Sequence, residues 1–273
     1  MASSTDNRET ALEALLRRDH ALVLAATLVL STLAWVCVLW CFESLMQTPG
    51  MSSMPAMIMA PMFSPWTAAE FLLTLVMWVV MMVGMMTPSA TPMLLLYARV
   101  GRHANADGKI FAATGWFAAG YLLAWTAFAA VASLAQALLI ETALITPMLA
   151  LRSNLIGGAV LIAVGLYQWT PLKHACLAQC QAPLAFILRH GGFKPDASGA
   201  LVFGLKHGLY CLGCCWAVMA LLFVGGVMNP LWIALLAIWV LLEKIVPAGP
   251  LMARGLGLGL IVGGIIFVLS TVM

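Results

Sequence analysis

The chain has 273 residues, 63% of them hydrophobic and only 8% charged, with a mean hydropathy of +1.03. Soluble domains carry about 25% charged residues, so a soluble globule is excluded. A net charge of +3, with the basic residues scattered among the edges of apolar runs, gives no nucleic-acid surface. The seven cysteines lack the spacing of a secreted disulfide scaffold, and several lie inside apolar segments, where metal binding or thiol chemistry is the expected use.

Residues 1–20 are polar and read as a cytoplasmic tail, followed by a single helical membrane domain over 21–273. The run from Ala21 to Phe42 is too long for the apolar core of a signal peptide and is the first predicted span. A loop over 43–66 follows, rich in Met, Pro and Ser, with Met46, Met51, Met54, Met57, Met59 and Met62. The second apolar run, Thr67 to Tyr97, would be about 45 Å long as one helix against a hydrocarbon core of about 30 Å. A break near Thr87–Pro88 is therefore expected.

Further spans are predicted at 110–139, 154–170, 199–226, 231–246 and 255–273, which makes about seven in an all-α polytopic membrane protein. Between the fourth and fifth lies a polar stretch, 171–198, read as a cytoplasmic loop carrying Cys176 and Cys180. In the last span Gly255, Gly259 and Gly263 repeat at the spacing that lets helices approach closely. Arg8, Arg17, Arg18, Arg99, Arg102, Lys109, Lys173, Arg189, Lys194, Lys244 and Arg254 fall on one side of this arrangement and Arg152 on the other, which predicts a cytoplasmic N-terminus.

The chemistry concentrates in Gly204–Met219, GLKHGLYCLGCCWAVM. His207, Cys211, Cys214 and Cys215 fall at i, i+4, i+7 and i+8, hence on one helical face. Polar groups inside a membrane are costly and mark functional positions. One intramembrane cysteine is ordinary packing; three beside a histidine suit a soft transition metal or a thiol redox centre. Thioethers favour Cu(I) over zinc or magnesium, so the methionines of 43–66 point to copper, and a closed structural zinc site would have no need of them. Met81 and Met85 stripe the second span, a pattern that helix packing also produces. Cys176 and Cys180, one turn apart in LKHACLAQC, could hold a metal or exchange with a partner thiol. Depth arithmetic puts Glu243 about 12 Å and Lys206 about 10 Å from the inner edge, which predicts an intramembrane charge pair between them or between Glu243 and His207.

The segments VMMVGMMTPSATPM, GLYQWTPLKHACLAQC, GLKHGLYCLGCCWAVM, GVMNPLWI and LLEKIVPAGP resemble the bacterial family of predicted metal-binding integral membrane proteins, a domain-of-unknown-function family. The likeness runs from Trp66 to Arg254. It implies a multi-pass protein of the bacterial inner membrane, with Cys176, Cys180, His207, Cys211, Cys214, Cys215, Glu243 and Lys244 at motif positions. Cys37 and Cys41 stand outside the pattern.

These features give a membrane protein that binds a transition metal, Cu(I) before zinc, for transport, sensing or delivery to a protein partner. A thiol oxidoreductase linked to a quinone is a second reading. An accessory subunit of a larger membrane complex, suggested by the glycines of the last span, is a third. No nucleotide loop, serine nucleophile constellation or pair of catalytic carboxylates is present, which argues against an enzyme.

Overall fold

The computed structural model describes residues 3–46, 68–103, 110–146 and 149–270, and the side chains of these except residues 3–20 and 44–46. The methionines of 51–62 therefore lie outside the described residues. Ten helices and no strands occur among the described residues: α1 (Ser3–Met46), α2 (Ala68–His103), α3 (Ile110–Glu141), α4 (Asn154–Tyr167), α5 (Pro171–Gln181), α6 (Pro183–Arg189), α7 (Ala197–Ala220), α8 (Leu222–Gly225), α9 (Pro230–Ile245) and α10 (Gly249–Leu269). The fold is all-α and of the polytopic membrane type. Ala21–Glu43, Ala68–His103, Ile110–Glu141, Ala197–Gly225 and Gly249–Leu269 are long and apolar enough to cross a bilayer, and α4 with α5, bent by 64°, would make a sixth crossing. The remaining apolar run, α9, has 16 residues, or about 24 Å.

Local chemistry sets where several helices begin. Thr170 and Asn229 each cap a helix whose first residue is proline, the pairing that suits a helix start. The Thr170 hydroxyl accepts from Lys173 N at 3.3 Å, and the Asn229 side chain accepts from Trp232 N at 3.3 Å. Asp196 caps α7, accepting from Gly199 N at 2.6 Å. The stretch 171–198, polar enough to read as a loop, is thus largely two short helices, with Lys173 and Leu177 of α5 completely buried.

No break occurs at Thr87–Pro88. α2 runs unbroken through Pro88 and Pro92 for 36 residues, about 54 Å, so it must lean or project beyond the hydrocarbon layer. Pro88 has no N–H to give to the Gly84 carbonyl four residues back. The Ser31 hydroxyl of α1 donates to that oxygen instead, at 3.2 Å. A neighbouring helix thus takes up the freed group, the usual way a membrane helix tolerates proline.

Three long pairings organise the bundle: α3 along α7, α10 along α4, and α1 along α2. The α3–α7 crossing is close enough that a Cβ at Gly120 would clash with the Leu201 carbonyl, and one at Gly204 with the Phe117 carbonyl. That approach requires glycine. In α10 the close approach to α4 falls at Gly257 and Gly264, which face the backbone oxygens of Gly165 and Gly158. Gly255, Gly259 and Gly263, whose spacing suggested that role, have no neighbour within 4 Å. Between α2, α3, α7 and α9 lies a core of Trp78, Met82, Met86, Phe117 and Met219, and the Trp78 indole donates to Gln136 Oε1 at 2.7 Å.

Candidate functional site

The close α3–α7 crossing turns one face of α7 inward, and His207, Cys211, Cys214 and Cys215 are all buried on it. The four lie within an arc of about 100°, as their spacing dictates. Cys214 and Cys215 each place Sγ 3.0 Å from the Cys211 carbonyl and donate to it. Such back-bonding on the helix holds both sulfurs in fixed positions.

Cys211 Sγ is the hub. Tyr121 OH of α3 lies 3.0 Å from it, and Lys244 Nζ of α9 lies 2.9 Å from it. Lys244 Nζ also donates to Ser89 Oγ of α2 at 3.0 Å, and Tyr121 OH to the Met86 carbonyl at 3.3 Å. An ammonium at this range is a counter-ion for a thiolate, the form in which sulfur binds metals.

α5 closes the site from the other side. Its Cys180 borders the same cavity as Cys211 and His207, and Cys176 Sγ sits against α7 where a Cβ on Gly213 would stand only 2.7 Å away. Together these walls enclose a cavity of about 180 Å³ bordered by Ser89, Met93, Tyr121, Cys180, His207, Cys211 and Lys244. The His207 ring packs edge-on to Phe186 at 5.1 Å between centroids. Its Nδ1 is buried without a hydrogen-bond partner among the described residues. An unpaired imidazole nitrogen beside clustered sulfurs is a donor left open for a guest.

Of the residues expected from the sequence, Cys180, His207 and Cys211 border the cavity, Cys214 and Cys215 are buried beside Cys211 on α7, and Cys176 packs against Gly213. Among the described residues, no group of three His, Cys, Asp or Glu side chains already stands in metal-holding geometry. A soft monovalent ion accepts few donors, and sulfur with imidazole is the donor set it prefers. Met81 and Met85 are buried in the core of α2 rather than at the cavity, and Met93, further along that helix, is the thioether that borders it. Cys37 and Cys41 lie half-buried on α1, interacting with each other, and do not line the cavity.

The charge pair differs from the one expected. Lys206 stands exposed, and Glu243 pairs with Lys173 of α5, Nζ to Oε1 at 2.7 Å, both side chains essentially without solvent contact. Lys206 precedes His207 by one residue and so points about 100° away from the inward face. Lys173, Ser89, Tyr121 and Met93 were not singled out as site residues by sequence alone. A lysine on the same α5 face as two cysteines was the available signal.

A model of the PpoB2 copper chaperone family matches residues 75–267. That span includes every residue of the thiol cavity and leaves the methionine-rich stretch outside. No curated protein and no solved structure matches the chain. With a family match over well over half its length, and sulfur and imidazole donors gathered around one buried cavity, the chain belongs to the PpoB2 copper chaperone family.

Proposed function

We propose that the protein carries Cu(I) within the bacterial inner membrane and hands it to a partner metalloprotein. In this reading the N-terminus is cytoplasmic, and the methionines of 43–66 gather the ion on the outer face. Cys180, Cys211 and His207, which border the cavity, then hold it, with Cys214 and Cys215 beside Cys211 as alternative sulfur donors. The observation that carries the reading is that Cys180 from α5 and Cys211 from α7 border one cavity with the unpaired His207 Nδ1. Copper is cargo here, so a site with weakly engaged donors suits release as well as capture. The copper family match supports the metal, and the run of soft ligands supports its monovalent state.

The chain's residues divide the work in a definite way. Cys214 and Cys215, donating to the Cys211 carbonyl, are poised to turn toward an ion once it enters. Lys244 neutralises Cys211 when the cavity is empty and can remain on Ser89 when it is filled. Phe117 and Phe186 pack on the His207 ring, at 5.9 and 5.1 Å between centroids, and hold it at the cavity wall. The test is metal analysis of protein purified without oxygen from copper-fed cells. About one copper per chain should be retained by the wild type and lost by a Cys211/Cys214/Cys215→Ser variant. Equal content in both would remove the site.

One observation favours a second reading, thiol–disulfide exchange with a quinone or partner protein. Cys180 of α5 and Cys211 of α7 border the same cavity, and both are free thiols. A mixed disulfide with a partner, or a thiol state that tracks quinone level, would support it. Tight copper retention with neither would exclude it.

A further inference from the structure

A buried ion pair is an expensive way to join two helices, because well-packed apolar residues of similar size are often as stable or more so. Its best-attested use is to select one register among several. Lys173 and Glu243 form such a pair at 2.7 Å, with no solvent contact at Lys173 and almost none at Glu243. Apart from that ammonium, the carboxylate has no hydrogen-bond partner among the described residues. Lys173 in turn donates to the Gln168 side-chain oxygen. A second tie lies farther along α5, where Gln181 Nε2 donates to the Glu243 and Val246 carbonyls at 2.9 and 3.1 Å. α5 is thus fastened near both of its ends to the last turn of α9.

These fastenings straddle the sulfur-bearing face of α5. Lys173 and Cys180 are seven residues apart, about 10 Å along the helix and almost in line around it. On α9, Glu243 and Lys244 are consecutive, so their side chains diverge by about 100°. One turns to α5 and the other reaches Cys211 Sγ at 2.9 Å. A shift of α5 against α9 would therefore move Cys180 relative to Lys244 and Cys211 at the cavity that all three border.

We propose that Lys173 and Glu243 are positioning residues for the thiol cavity: their ion pair registers α5 on α9 so that Cys180, Cys211 and Lys244 border one cavity. The pair touches no metal and works through the helices it joins. The inference rests on the reading of the cavity as a Cu(I) site.

The test uses the full-length protein in detergent, loaded anaerobically with Cu(I). Affinity is measured by competition with a chromogenic chelator, the sulfur shell by X-ray absorption at the copper edge, and folding by thermal unfolding. A Lys173→Met/Glu243→Met variant, which replaces both charges by apolar groups of similar length, should unfold near the wild-type temperature. It should bind Cu(I) about tenfold to a hundredfold more weakly and show fewer sulfur neighbours. Lys173→Arg keeps the charge at a different reach; it should fold and fall between the two in affinity. Wild-type affinity and sulfur count in both variants would overturn the proposal, and so would normal copper binding by Lys173→Arg should the double variant fail to fold. Failure of the wild type itself to bind Cu(I) would remove the underlying cavity reading, a result distinct from either.

Discussion

Lys244 Nζ on α9 lies 2.9 Å from Cys211 Sγ on α7 and 3.0 Å from Ser89 Oγ on α2, so one ammonium joins three helices at the thiol cavity. A thiolate at the buried Cys211 needs that counter-charge, since an uncompensated buried charge is costly. Lys244→Met should leave the fold intact and weaken Cu(I) retention about tenfold, the scale of losing a group that supports a metal ligand. Lys244→Arg should recover part of it. Chelator competition on the purified variants reads both.

The contact between Ser31 and Gly84 makes a separable prediction about α2. Ser31→Ala strands the Gly84 carbonyl and should cost about 0.5–1.5 kcal/mol, the range for interhelical hydrogen bonds in membrane proteins. Pro88→Ala restores an N–H for that carbonyl, so Ser31→Ala should cost almost nothing in that background. A double-mutant cycle by thermal unfolding measures the difference.

At the α3–α7 crossing, Gly204→Ala puts a Cβ into the Phe117 backbone. Overpacking of this kind costs about 1–3 kcal/mol, and the helices must separate to relieve it. His207 and Cys211, one and two turns further along α7, would move with the helix. Both unfolding temperature and copper content should fall. Gly255→Ala, at a position with no neighbour within 4 Å, should change neither.

These tests also mark which parts of the molecule could be read from the chain. The inward face of α7 was legible because the spacing of His207, Cys211, Cys214 and Cys215 fixes their azimuth on any helix. α5 was not, because Lys173 and His174 look like loop residues until their burial is known. Thr170–Pro171 nevertheless carried a helix-start signal. The partner of Glu243 was missed because depth in a membrane says nothing about direction around a helix axis: Lys206 has the right depth and the wrong side. The expected break at Pro88 was missed for a similar reason, since the hydroxyl that relieves it comes from a residue 53 positions away.

Asp196, the cap of α7, is exposed, and the Gly199 N–H and Ser198 hydroxyl bound to its carboxylate hold it below the usual aspartate range. A carboxylate lowered in the folded state stabilises it above the ordinary value of about 4, and this contribution is lost as pH falls through the lowered one. Protection of the Gly199 amide against hydrogen exchange, relative to its intrinsic rate at each pH, should therefore fall as the pH drops below about 4. In Asp196→Ala it should already be low at neutral pH and show no further acid-dependent step.

The direct measurement of the central claim is the copper content and copper-edge X-ray absorption spectrum of the wild-type protein, purified anaerobically, beside those of Cys180→Ser and Cys211→Ser. The account predicts one Cu(I) with sulfur neighbours in the wild type, and loss of sulfur ligation and of most of the metal in each variant. Copper held equally well by all three proteins, or a wild-type copper ion with no sulfur neighbours, would contradict it.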